Sequence, residues 1–269
     1  GANISVRVSD EFMDAVKGQH KYQQRWPVET KIDPEVENYV DAKEVWDALI
    51  ESAHASAEPG VLFWDTAKRN TPSDIYTKEG FGSVSTNPCG EIILSPYDSC
   101  RLMLVNLTSF VENAWTQEAY FEWGKFAEVV QKAQRLMDDM IDLEIEQIDK
   151  IMEKIRRDPE PENVKEVELS LWHKIKQAAG VGRRTGLGIT GLGDCIAMLN
   201  QQYGDPESIK TTEEIYKWLA LNSYESSIQL AKERGAFPIC DVEKEKGHPF
   251  LERIIGELLP ERQEDYKKY

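Results

Sequence analysis

Residues 4–8 (Ile-Ser-Val-Arg-Val) alternate apolar and polar side chains, the period-two pattern of a half-buried strand. Ser9 or Asp10 then stands where a helix cap is needed, ahead of a short helix carrying Phe12, Met13 and Val16. A polar stretch marked by Pro27 follows. Asp33-Pro34-Glu35 reads as a second helix start, with an apolar stripe of Val45, Trp46, Leu49 and Ile50 continuing to Ala57. Pro59-Gly60 ends it, and residues 61–64 are short, apolar and strand-like. Residues 66–85, rich in Asn, Pro, Ser, Asp and Gly, read as loop. Two apolar bursts, 91–94 and 102–107, flank Ser95-Pro96-Tyr97-Asp98 and read as buried strands or strand ends.

The pattern then changes period. Met137, Ile141, Ile148, Ile151 and Ile155 recur at spacings of three, four and seven and mark one face of a long helix. Asp138, Asp139, Asp142, Glu144 and Glu146 lie among them, but carboxylate-bridged metal sites need Glu-x-x-His pairs, which are missing, so a solvated acidic face is expected. Asp158-Pro159-Glu160-Pro161 interrupts the helical pattern before a helix over 166–179. Further helices are expected over 212–234, stopped by Gly235, and over 250–259. Helix dominates, with about four strands in the first 110 residues.

Composition narrows the class. The 269 residues, 41% hydrophobic and 30% charged, suit a soluble globular chain. No apolar run approaches the roughly 20 residues of a membrane span, and the first residues lack a secretory pattern, so a cytoplasmic protein is the expectation. With 48 acids against 32 bases, the chain lacks the basic footprint of a DNA- or RNA-binding surface. Cys89, Cys100, Cys195 and Cys240 form no CxxC, and neither they nor the four histidines have metal-ligand spacing, so no metal site is expected.

Gly186, Gly188 and Gly191 spell the dinucleotide-binding G-x-G-x-x-G. That fingerprint needs a buried strand before it, whereas 177–185 contains Gly180, Gly182, Arg183 and Arg184; close packing of a helix start against other backbone is the better account. The segment 85–107 carries more chemistry. In extended geometry Asn87, Cys89 and Glu91 point to one side, placing an amide, a thiol and a carboxylate together. A thiol can act as nucleophile or radical carrier, a carboxylate as general base, and an amide as an orienting group. The same residues also suit a cysteine buried in a turn, with Asn87 and Glu91 satisfying local backbone. The residues alone leave both open.

Asn87-Pro88-Cys89-Gly90-Glu91, followed by Cys100 and then Val105-Asn106-Leu107, resembles the active-site finger loop of ribonucleotide reductases, in the adenosylcobalamin-dependent form more than the diiron-dependent one. Asn3-Ile4-Ser5-Val6 with Asp10-Glu11-Phe12-Met13, residues 57–63, residues 183–189 and Gly235-Ala236-Phe237-Pro238 are similar to the same family in the same order. The resemblance implies that Cys89 is the thiyl radical site that takes the 3′ hydrogen of a ribonucleotide, its radical coming from adenosylcobalamin. It implies that Glu91 is the general base on the 3′ hydroxyl and that Asn87, with Ser85 and Thr86, binds substrate. Cys100 would be one of two reducing thiols that end as a disulfide when the 2′ hydroxyl leaves as water. A protonated Cys89 shielded by Ile92, Ile93 and Leu94 would suit this chemistry.

The family fold is a ten-stranded α/β barrel with the finger loop through its centre. This chain has too few strand-like segments to close one, so the implied fold class is α/β, a mainly helical central part of that barrel: 1–110 with strands and finger loop, 111–269 mainly helical. The second reducing cysteine, the substrate-phosphate loop and the cysteine pair that accepts electrons from a thioredoxin-like reductant match nothing here, and Cys195 and Cys240 lie in the wrong contexts to replace them. The resemblance thus implies a piece that works with a complementary reductase polypeptide on a ribonucleoside di- or triphosphate and is inactive alone. The other readings are a reductase with a separate radical-generating subunit, and a scaffold that has lost its chemistry.

Overall fold

The computed structural model describes residues 3–28, 30, 33–99 and 101–257. The chain divides into two compact units, one of residues 1–74 and 83–93, the other of residues 75–82 and 94–269.

In the first unit, β1 (Ser5–Val8) leads into α1 (Asp10–Gly18), which Ser9 caps by accepting the Phe12 N–H at 3.1 Å. β2 (Lys21–Trp26) and β3 (Val36–Asp41) form an antiparallel ribbon, then α2 (Ala42–Ser56), β4 (Gly60–Phe63) and α3 (Trp64–Asn70) follow. β4 pairs in parallel with β1, Ser5 opposite Gly60 through Val8 opposite Phe63. Parallel neighbours need a crossover, and the helices between them provide it. Val8, Phe12, Ala15, Val16 and Ala42 form the core, with Phe12 edge-on to Tyr22 at 5.2 Å.

Here the sequence reading needs correction. Residues 21–26 carry no strand signal, only polarity, and Asp33-Pro34-Glu35 reads as a helix start, yet the first stretch is β2 and the second leads into β3. The ribbon's register sets Lys21 opposite Asp41 and Arg25 opposite Glu37, while the Arg25 guanidinium itself binds Glu11 on α1 at 2.8–2.9 Å and Gln23 donates to Glu37 at 2.5 Å. The helix begins later, where Asp41 accepts the N–H groups of Lys43 and Glu44. The expected loop over 66–85 begins inside α3 and includes a 3-10 segment, Pro72–Glu79. Short strands β5 (Ser85–Thr86) and β6 (Ile93–Leu94) then pair around the segment that carries the candidate chemistry.

The second unit opens with β7 (Leu102–Asn106), β8 (Val111–Glu112) and β9 (Tyr120–Phe121). The long helix α4 (Trp123–Arg157) follows, burying Phe126, Val130, Ala133, Met137, Ile141, Ile148, Met152 and Ile155 at helical spacing. α5 (Glu162–Gly182) returns along it, and β10 (Gly186–Thr190) pairs in parallel with β7, Leu102 opposite Gly186 through Asn106 opposite Thr190. α6 (Leu192–Met198), α7 (Pro206–Arg234), α8 (Val242–Glu245) and α9 (Pro249–Glu257) complete the described chain. Phe110, Phe121 and Phe126 pack on one another at 5.2–5.9 Å between ring centres, in a core shared with Val105, Leu107, Cys195 and Ile215.

No strand precedes the G-x-G-x-x-G run, as expected, because residues 177–182 belong to α5; the unexpected feature is β10, which covers the start of the run itself. A side chain on Gly188 would press on Leu104 at 3.0 Å, and one on Gly191 would lie 2.8 Å from Asn106 Oδ1. These glycines permit close approach, but to side chains of β7 rather than to backbone. The acidic face of α4 is not simply solvated either. Arg183 binds Asp138 (2.6 Å) and Asp142 (2.8 Å), Arg234 binds Asp138 (2.6 Å) and Asp139 (2.7 Å), and Arg101 pairs with Glu144.

No described sheet exceeds two strands. Among the described residues no helix is long and apolar enough to cross a membrane.

Candidate active site

The loop between β5 and β6 is built from local rules. Asn87-Pro88-Cys89-Gly90 is a β-turn sequence: asparagine suits the first position, proline presets the second, and glycine suits the fourth. The Gly90 N–H donates to the Asn87 carbonyl at 3.1 Å, closing that turn, and Gly90 takes φ +82°, a region costly for other residues. Asn87 ties the far side of the loop as well. Its N–H donates to the Ile92 carbonyl at 3.2 Å, and its Oδ1 accepts the Ile92 N–H at 3.0 Å. Asn3 reaches the loop by donating from Nδ2 to the Pro88 carbonyl at 3.2 Å.

Asn87, Cys89 and Glu91 are therefore displayed by a turn, not by the extended strand assumed from their spacing. The turn brings the three into one short loop, with Cys89 and Glu91 exposed and Asn87 partly buried. The expected shielding of Cys89 by Ile92, Ile93 and Leu94 is not met within this chain, because the thiol stands exposed. Ser85 and Thr86 flank the loop, their hydroxyls donating to the carbonyls of Thr86 (3.1 Å) and Asn87 (2.9 Å). Cys100 lies outside the described residues.

The other cysteines differ. Cys195 is fully buried in the core of the second unit, and burial pushes its thiol up to about 11. Cys240 is partly buried, and burial, with Glu245 and Asp241 nearby, raises it to about 11 as well. Both are held as neutral thiols, poor nucleophiles near neutral pH.

Sequence reasoning missed a polar cluster that follows the loop in the chain. Ser95, Asp98, Arg101, Glu144 and Arg184 form a largely buried polar cluster in the second unit. The signals available were Arg101 next to Cys100 and the Arg183-Arg184 pair before a glycine-rich strand, but nothing in the spacing joined them. Among the described residues, Asp138, Asp139 and Asp142 have carboxylates close enough to hold a metal ion, and Arg183 and Arg234 already bind them.

Comparison with known proteins bears on what this arrangement is. A family model described as the ribonucleotide reductase barrel domain matches residues 1–248. A vitamin B12-dependent ribonucleoside-diphosphate reductase of Mycobacterium tuberculosis is 32% identical over 237 residues, covering 88% of this chain and 29% of that protein. Its counterpart in Thermoplasma acidophilum is 31% identical over 237 residues, covering 88% of this chain and 26% of that protein. The chain thus spans less than a third of the length of either relative. The alpha subunit of the class Id ribonucleotide reductase of Actinobacillus ureae shares the fold, with a TM-score of 0.57 at 19% identity over 88% of this chain and 37% of that one. With its parallel strand pairs, its helical crossovers and a family match over nearly its whole length, this chain belongs to the ribonucleotide reductase family, as part of the barrel domain.

Proposed function

We propose that this chain is the loop-bearing part of an adenosylcobalamin-dependent ribonucleotide reductase, working in the cytoplasm with a complementary reductase polypeptide and a thioredoxin-like reductant. One observation carries it. Asn87, Cys89 and Glu91 share a short turn-built loop with the thiol exposed, in a chain 32% identical over 88% of its length to a vitamin B12-dependent reductase. The names of both relatives favour a ribonucleoside diphosphate as substrate over a triphosphate.

Cys89 gives up its thiol hydrogen and then takes the 3′ hydrogen of the ribose. Glu91 takes the proton of the 3′ hydroxyl as general base. The Asn87 oxygen is engaged inside the loop, so the contact with substrate falls to its Nδ2–H groups. Ser85 and Thr86 border the same site. Cys100 and a second thiol supply two electrons and two protons, the 2′ hydroxyl leaves as water, and the thiols become a disulfide. Adenosylcobalamin, when bound, supplies the initiating radical by homolysis of its cobalt–carbon bond, and an uncovered thiol at a turn is a fitting hydrogen donor for it. Exclusion of water from Cys89 falls to the remainder of the assembled enzyme.

The test is anaerobic deoxyribonucleotide formation with adenosylcobalamin and a dithiol, on this chain alone and with the flanking polypeptides supplied. Activity is expected only in the assembly, and only with Cys89 intact. Turnover by the chain alone overturns the split arrangement. An assembly that is inactive, or unaffected by Cys89→Ala, overturns the reading, leaving a separate radical-generating subunit or a scaffold without chemistry.

A further inference from the structure

Phe81 and Ser95, on either side of the loop in the chain, both belong to the second unit and are tied together there. The chain leaves that unit after Gly82 and returns at Leu94. Ser95, 4% exposed, donates from Oγ to the Phe81 carbonyl at 2.6 Å and so ties the two ends together. Arg184 donates from Nη2 to Ser95 Oγ at 3.2 Å and pairs through Nε with Asp98, whose side chain is 2% exposed. Arg101 pairs with both oxygens of Glu144, donates from Nη1 to the Arg184 carbonyl at 3.1 Å, and lies 3.9 Å from Asp98. The Gly186 N–H donates to the Arg101 carbonyl at 2.8 Å, which joins the cluster to the β7–β10 pair.

Two guanidinium groups face two carboxylates, so no charge is left uncompensated. Buried ion pairs of this kind add little net stability over apolar packing, because desolvation offsets the attraction. What a guanidinium does supply is direction, since its planar fork fixes several donors at once. In this cluster the fork of Arg184 points to both ends of one short segment, Ser95 and Asp98.

We propose that Arg184, acting through Ser95 and Asp98, is a positioning residue for the reductase reaction. It holds the two ends of the chain that flank the loop carrying Asn87, Cys89 and Glu91. This inference rests on the functional reading above, but its first readout does not depend on activity.

The experiment compares Ser95→Ala and Arg184→Lys with the parent in the complete reductase that contains this chain. Ser95→Ala removes one hydroxyl and leaves the ion pairs, so the fold is retained; Arg184→Lys keeps a charge for Asp98 but loses the fork. Both are expected to speed amide hydrogen exchange over residues 83–94 by about tenfold or more, the equivalent of one lost hydrogen bond to a charged group. Both are expected to lower kcat by about tenfold to a hundredfold while KM stays within about twofold, since misplaced groups lose reaction geometry before they lose binding. The double variant should fall no further than the worse single one, as expected for residues acting through one contact. Unchanged exchange in the loop overturns the clamp. Faster exchange with a parental kcat overturns the positioning role. A parent assembly that makes no deoxyribonucleotide overturns the functional reading instead, and the exchange data still decide the clamp.

Discussion

The same thiol group meets opposite surroundings at Cys89 and Cys195. Cys89 stands exposed on its turn, whereas Cys195 is fully buried and its thiol is pushed up to about 11. A thiol reagent at neutral pH is therefore expected to label Cys89 within minutes and Cys195 only on unfolding, as peptide mapping would show; labelling of Cys195 at a comparable rate would contradict its burial. Burial has a pH consequence as well. The folded thiol at about 11 lies above the ordinary value of 9.0, so the unfolded chain releases its proton first as pH rises. The stability conferred by the neutral thiol is fully present below pH 9.0 and is lost progressively towards about 11. Urea unfolding across that range should show a shallower decline in Cys195→Ala than in the parent. At this scale residue chemistry was legible in the sequence and surroundings were not. Asn87, Cys89 and Glu91 stood out by type, but their display on a turn and the exposure of the thiol depend on Asn87 closing the loop on Ile92.

Elements follow local rules wherever a cap or a period is strong. Ser9 caps α1 and Gly235 ends α7, as their residue types require, and the apolar stripe of α4 lies where its spacing placed it. Asp41 carries a comparable load, since it accepts two N–H groups at the start of α2. Asp41→Ala is expected to cost about 1 kcal/mol, read as a lower denaturation midpoint with an unchanged slope; no change would mean that water caps the helix equally well. β2, β3 and β10 escaped notice for a shared reason. Lys21-Tyr22-Gln23-Gln24-Arg25-Trp26 is too polar to signal a strand, and glycines weaken the strand signal in 186–190. Each becomes a strand because a partner is present, Val36–Asp41 in one case and Leu102–Asn106 in the other.

On the scale of the whole molecule, the family barrel is represented by separate parallel pairs, β1 with β4 and β7 with β10. The outer face of β7 presents Leu102 (47% exposed) and Leu104 (58% exposed). The inner face packs Met103 and Val105 against the aromatic core. Phe126, fully buried at the centre of that core, is expected to cost about 3–5 kcal/mol when cut to alanine. Because the first unit has its own core around Phe12, calorimetry should show that loss in the transition of the second unit; an equal shift of both units would mean that they unfold as one. By itself the sequence determined what short-range physics decides: the capped helices, the period of α4, and the chemical types gathered at Asn87, Cys89 and Glu91. Only the tertiary structure decided the strand pairs, the pairing of the acidic face with arginine, and the grip of Arg184 on Ser95 across 89 residues. Those features depend on groups brought together by folding, and no local pattern of apolar and polar residues encodes which distant partner arrives.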